Sequence, residues 1–238
     1  MMNSKKNIAE LSGVTKVYTT MTKGTAALRN VSFRAESGEM VLILGPSGSG
    51  KSTFLTILAG LQSATEGEAY LFDRNVKDYS SHELQQLRAN RIGFIFQTFH
   101  LLDSLSAIDN VLLVMGFAGV HGKAARDRVM GYFDNFGIQQ LRGVSPRCMS
   151  QGEKQRVAVA RALVNGAELI IADEPTGSLA TQQGMAIVSL LHESVKRDNR
   201  CVIIASHDER ISAYADRVLY LHDGILKSEP DKNGNVTG

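Results

Sequence analysis

A chain of 238 residues is long enough to bury the core of one α/β domain, and 43% hydrophobic with 21% charged residues is an ordinary globular composition. The formal net charge is only +2, with 26 Lys and Arg interspersed among 24 Asp and Glu, which excludes the concentrated basic face used to grip duplex DNA; no nucleic acid partner is expected. Two cysteines, Cys148 and Cys201, form no spaced metal or disulfide motif and are both expected to be small buried residues of a reducing compartment.

The N-terminal stretch MMNSKKNIAELSG lacks the apolar core of a signal peptide. Strand-type runs follow at 31–33, 40–44, 69–72, 92–96, 169–172, 202–205 and 218–221. Three of them, VLIL, LIIA and VIIA, are continuously apolar, as expected of strands covered on both faces. Helical patterns at 52–58, 82–87, 153–164 and 182–196 alternate with these strands, which predicts a parallel sheet with helical crossovers. Between Gln97 and Arg147 there is no convincing strand, and patches at 108–114 and 124–136 predict a helical insertion. The longest apolar stretch, VLLVMGFAGV at 111–120, is too short to span a bilayer, so a membrane link is expected through a partner. The tail SEPDKNGNVTG has the composition of a frayed end.

The sharpest chemical signal is GPSGSGKST, residues 45–53, which fits G-x-x-x-x-G-K-[ST] and directly follows the apolar strand ending at Leu44. In such a loop Gly45, Pro46, Ser47, Gly48, Ser49 and Gly50 form the turn that binds the nucleotide, with the amides from Ser47 to Thr53 pointing inward at phosphates by a helix start. Lys51 neutralises the β- and γ-phosphates, Ser52 offers a hydroxyl to Mg²⁺, and Thr53 continues the cradle. A dinucleotide fingerprint fails because Thr53 stands where its third glycine would be.

LIIADEPTG, 169–177, is a buried strand running into two adjacent carboxylates. Strand alternation predicts opposite directions for them and so different tasks: Asp173 for Mg²⁺, Glu174 as the base that polarises a water. Gln97 and His207 are expected to end two further strands on the same sheet edge, Gln97 within reach of Mg²⁺ or the water, His207 of the γ-phosphate. Ser150 and Glu153 in MSQGE have the spacing of a capping box at a helix start.

The phosphate loop, Gln97, MSQGE, LIIADE and His207 come in the order used by ABC transporter ATPases, which the chain resembles over nearly its whole length. GFIFQTFHLL, DEPTGSL and ADRVLYLHDGIL resemble the bacterial branch serving lipoprotein release, macrolide efflux and haem efflux. The resemblance implies an α/β fold over 1–238: a P-loop NTPase core with a mostly parallel sheet from 1–97 and 148–227, an N-terminal antiparallel β subdomain, a helical subdomain at about 98–147, and a tail at 228–238. It further implies ATP and Mg²⁺ as ligands, Tyr18 stacking on adenine, and an ATPase dimer, homo- or heteromeric, in which Ser150 and Gly152 complete the partner subunit's ATP site. Dimer closure would drive a membrane permease at the cytoplasmic face of the inner membrane, in export or lipoprotein extraction.

Two departures from the family pattern stand out. Gln151 replaces the first glycine of the usual L-S-G-G, and Ala180 in SLA replaces the usual aspartate. A left-handed backbone at Gln151 would cost about 1–2 kcal/mol, whereas a helical one would cost little. Both departures lie in elements that reach across the dimer, so slow hydrolysis is expected, and a regulatory ABC protein that moves no substrate is the alternative. No N-K-x-D guanine motif is present.

Overall fold

The structure is a computed structural model that describes residues 5–19 and 24–228. The first four residues and the tail at 229–238 lie outside the described residues, and so do the readings made on them.

Six strands form one sheet in the order β10-β9-β3-β8-β7-β6: β3 (Met40–Leu44), β6 (Ile92–Ile95), β7 (Leu169–Asp173), β8 (Cys201–Ser206), β9 (Arg217–His222) and β10 (Ile225–Lys227). All neighbouring pairs are parallel except β9 with β10. The continuously apolar runs are covered on both faces as expected. Leu42, Ile170 and Ile204 face a core shared with Val111 of α3 (Ala107–Phe117), Phe133 of α4 (Gly122–Asn135), Val159 of α5 (Gln151–Leu163) and Val188 of α6 (Thr181–Asp198). Their neighbours Val41, Ile171 and Ile203 face a second core around Phe54 and Leu58 of α1 (Lys51–Leu58). Each fully buried Leu, Ile or Phe in these layers contributes about 1.5–3 kcal/mol of apolar burial.

The second core is closed by an antiparallel sheet in the order β2-β1-β4-β5: β1 (Asn7–Thr19), β2 (Gly24–Glu36), β4 (Glu66–Leu71) and β5 (Arg74–Asn75). β1 is absent from the strand pattern read in the sequence, and only three residues of β2 are in it. The cause is local: the β1–β2 register shifts at four places, and Gly13 is left-handed, so inside and outside do not alternate cleanly along NIAELSGVTKVYT.

α2 (Ser81–Arg91) begins with a capping box from Ser80 and Glu83 and delivers the chain to β6. From there to α5 the chain is helical, as the sequence suggested, with α3 and α4 as its two α-helices. Strand ends differ from expectation: β6 stops at Ile95, two residues before Gln97, and β8 stops at Ser206, so both site residues sit on the loops just beyond. Cys201 is buried in β8, and burial pushes its thiol pKa up. Cys148 is exposed instead, because it ends a surface 3₁₀ turn (Pro146–Cys148) ahead of α5.

Candidate functional site

The carboxyl ends of β3, β8, β7 and β6 open in that order along one edge of the sheet. A cavity of about 370 Å³ lies there, lined by residues from all four: Ser47, Gly48, Gly50, Lys51, Ser52 and Thr53 after β3, His207 after β8, Asp173 and Glu174 at the end of β7, and Gln97 beyond β6. Ala27 of β2 adds a wall that no motif in the sequence announces.

The loop from Gly45 to Gly50 bends because glycine permits it. Gly48 (φ 83°) and Gly50 (φ 106°) are left-handed, and a Cβ on Gly50 would come within 2.3 Å of the Ala27 carbonyl oxygen. Gly50 is the N-cap of α1 and offers no side-chain cap, so no side chain blocks the first-turn amides. Lys51 is only 6% exposed. Its ammonium donates to the carbonyls of Gly45 (2.7 Å) and Pro46 (3.0 Å) and lies 3.5 Å from Glu174 Oε1. The hydroxyl of Ser49 is buried with no hydrogen-bond partner.

Asp173 accepts a 2.7 Å hydrogen bond from Ser52 Oγ. Burial pushes its carboxyl pKa up and the neighbouring Glu174 charge adds to this, while the Ser52 bond and Lys51 oppose it. A half-buried carboxylate, a serine hydroxyl and an amide oxygen form a hard-oxygen donor set, which fits Mg²⁺ held jointly with substrate phosphates.

The expectation that Asp173 and Glu174 point in opposite directions is overturned. β7 ends at Asp173, and Glu174 adopts a left-handed backbone (φ 48°), held by its amide donating to the Ala205 carbonyl at 2.9 Å. That turn cancels the strand alternation, so both carboxylates line the same cavity. The strain is of order 1–2 kcal/mol, a cost found where geometry serves a site. Glu174 is 13% exposed; its Oε2 lies 3.0 Å from His207 Nδ1 and accepts from Ser206 Oγ at 3.2 Å. Ser206 is a contact that the sequence reading missed, since a serine ending an apolar strand carries no signal of its own.

Tyr18 does not line this cavity but reaches Thr53, which does. Its hydroxyl donates to Gln62 Oε1 at 2.7 Å and is 3.4 Å from Thr53 Oγ1. Ser150 and Gly152 are not brought to this cavity but line another, of about 210 Å³. There Ser150 closes the capping box: its hydroxyl and amide both donate to Glu153 Oε2 at 2.8 Å, and Oγ accepts from the Glu153 amide at 3.4 Å. Gln151 is the first residue of α5 and is not left-handed, so glutamine there carries no backbone strain. Gly152 is buried under Gln183 of α6; a Cβ would meet Gln183 Oε1 at 2.9 Å.

Ala180 is the N-cap of α6 with extended backbone (φ −60°, ψ 147°) and no side chain to cap it, while Gln183 stands at the third helical position. Ala180→Asp is therefore expected to stabilise the chain by about 1 kcal/mol, a Tm gain of about 2–4 °C by calorimetry. An unchanged or lower Tm would show that the first-turn amides are satisfied otherwise.

A glycine-rich loop between a parallel strand and a helix, facing two carboxylates at the end of β7, two strands away, defines a phosphate-loop nucleotide-binding α/β protein. The chain matches the ABC transporter family over residues 28–177 and belongs to that family. The macrolide export ATP-binding/permease proteins MacB of Rhodopseudomonas palustris and Escherichia coli are 40% and 37% identical to it over 92% and 93% of this chain, which spans 34% of their length. An uncharacterized ABC transporter ATP-binding protein of Methanocaldococcus jannaschii, MJ0796, is 37% identical over 94% of this chain and 97% of its own. The dimeric MJ0796 cassette in a post-hydrolysis state with ADP and Pi superposes with a TM-score of 0.86 at 34% identity, covering 97% of this chain and 100% of that one.

Proposed function

We propose that the chain is the ATP-binding and ATP-hydrolysing subunit of an ABC transporter, closing as a dimer on ATP to drive a membrane permease. The observation that carries this is the contact chain Lys51–Glu174–His207 on one wall of the phosphate-loop cavity, with Ser52 and Asp173 paired beside it. Lys51 and the amides opening α1 hold the β- and γ-phosphates. Glu174 takes a proton from the attacking water, Gln97 orients that water, and His207 donates to the γ-phosphate. Ser52, Asp173 and Gln97 would hold Mg²⁺, which when bound would neutralise charge on the phosphate oxygens. Tyr18 carries the adenine.

Ser150 and Gly152 occupy a separate cavity, which supports the reading that they act on the ATP of the second protomer. Since Gln151 is unstrained, any slowing of hydrolysis falls on Ala180, which presents no carboxylate across the dimer.

Association with a permease is supported by a groove of about 510 Å³ between α2, β6, α3 and α5, lined by Phe94, Leu102, Leu113, Phe117 and Arg161. Phe117 is 63% exposed there, an apolar surface suited to a partner's helix. No helix among the described residues is long and apolar enough to cross a membrane, and the place proposed for the chain is the cytoplasmic membrane face, bound through the permease. Macrolides are the cargo class suggested by the names of the related export proteins, and lipoproteins the class suggested by the sequence resemblance alone.

Light scattering of a Glu174→Gln variant tests the mechanism: saturating ATP is expected to double the 25.9 kDa protomer mass. A persistent monomer would overturn it. Co-purification with a permease that stimulates ATPase activity in liposomes separates transport from a purely regulatory role.

A further inference from the structure

The turn after α1 grips the end of β1 at several points. The Thr65 amide donates to the Thr15 carbonyl (2.9 Å), the Val17 amide to Thr65 Oγ1 (3.0 Å), and Lys16 Nζ to the Ser63 carbonyl (2.7 Å). A further bond, from Tyr18 Oη to Gln62 Oε1 (2.7 Å), fixes an aromatic ring whose hydroxyl is 3.4 Å from Thr53 Oγ1, a residue lining the phosphate-loop cavity. Gln62 is itself tied to α1: its amide donates to the Thr56 carbonyl (3.2 Å), and Thr56 Oγ1 approaches its Oε1 (3.4 Å) while donating to the Thr53 carbonyl (3.0 Å). Lys16 Nζ lies 5.3 Å from the Tyr18 ring centroid, covering part of one face.

We infer that Gln62 is a positioning residue for the nucleobase. By accepting the Tyr18 hydroxyl while hydrogen-bonded to the helix that begins at the phosphate loop, it holds the ring at a set distance from the phosphates. A tyrosine on a strand end has two free torsions, and an aromatic contact contributes only when the ring is already in place. The inference rests on the nucleotide reading above and on Tyr18 as the base platform.

The test uses the full chain, with Mg-ADP and Mg-pyrophosphate as ligands, since neither is turned over and the second lacks a base. In Gln62→Ala the Kd for ADP is expected to rise about fivefold, the worth of one aromatic contact, with the pyrophosphate Kd unchanged. Gln62→Glu keeps an acceptor oxygen at the same reach and is expected to restore ADP binding. In a Tyr18→Ala background, Gln62→Ala should have no further effect. Equal weakening of both ligands, an unchanged ADP Kd, or a full effect persisting without Tyr18 would each overturn the assignment. A wild-type chain that binds ADP no better than pyrophosphate would instead overturn Tyr18 as the platform, and one that binds neither would overturn the nucleotide reading.

Discussion

Replacing Glu174 with glutamine is expected to slow phosphate release by about 10²–10⁴-fold, the usual worth of a positioned general base, while ADP and ATP still bind. The substitution is nearly isosteric. Glutamine keeps an oxygen able to accept from Ser206 Oγ, which now donates to Glu174 Oε2 at 3.2 Å, and the Ala205 bond that holds the left-handed backbone is untouched. What is lost is the one carboxylate facing both Lys51 and His207. Removing a negative charge 3.5 Å from Lys51 also leaves that ammonium freer to meet phosphate, so nucleotide affinity should hold or rise. Single-turnover phosphate release measures the first effect and calorimetric titration the second. A rate within tenfold of the wild type would mean that the proton goes elsewhere, with Asp173 the nearest other carboxylate in the cavity.

Much of this site was legible because its chemistry is written at strand ends. Continuous apolar runs such as VLIL and LIIA declare buried parallel strands, and polar residues directly after them fall on one edge of the sheet. What the sequence concealed has physical causes. β1 breaks its own alternation at bulges and at left-handed Gly13, so a thirteen-residue strand has no period-two signal. The direction of Glu174 depends on one positive φ, imposed by the Ala205 carbonyl on the neighbouring strand and invisible to a rule about extended chain. Gln62 and Gln183 act through tertiary contact alone; Gln183 leaves only the trace of a glutamine three residues after an N-cap that has no capping side chain.

The second large effect is expected from Lys51→Ala, which should weaken ADP and pyrophosphate alike, by about 10²–10³-fold, because a charge-assisted hydrogen bond to phosphate is lost from a buried site. Equal loss on the two ligands separates this variant from Gln62→Ala, which should move only the one with a base. The folded state should suffer as well. Lys51 now satisfies the Gly45 and Pro46 carbonyls and balances Glu174, a carboxylate that is 13% exposed. Alanine removes the cation and leaves that charge with His207 as its remaining basic neighbour, at a cost of order 1–3 kcal/mol. Adding Glu174→Gln to Lys51→Ala should then recover part of the lost stability in urea unfolding, since the unbalanced charge is gone. If the double variant is no more stable than Lys51→Ala alone, the two carbonyls carry the penalty and Lys51 serves the fold chiefly as a hydrogen-bond donor to its own loop.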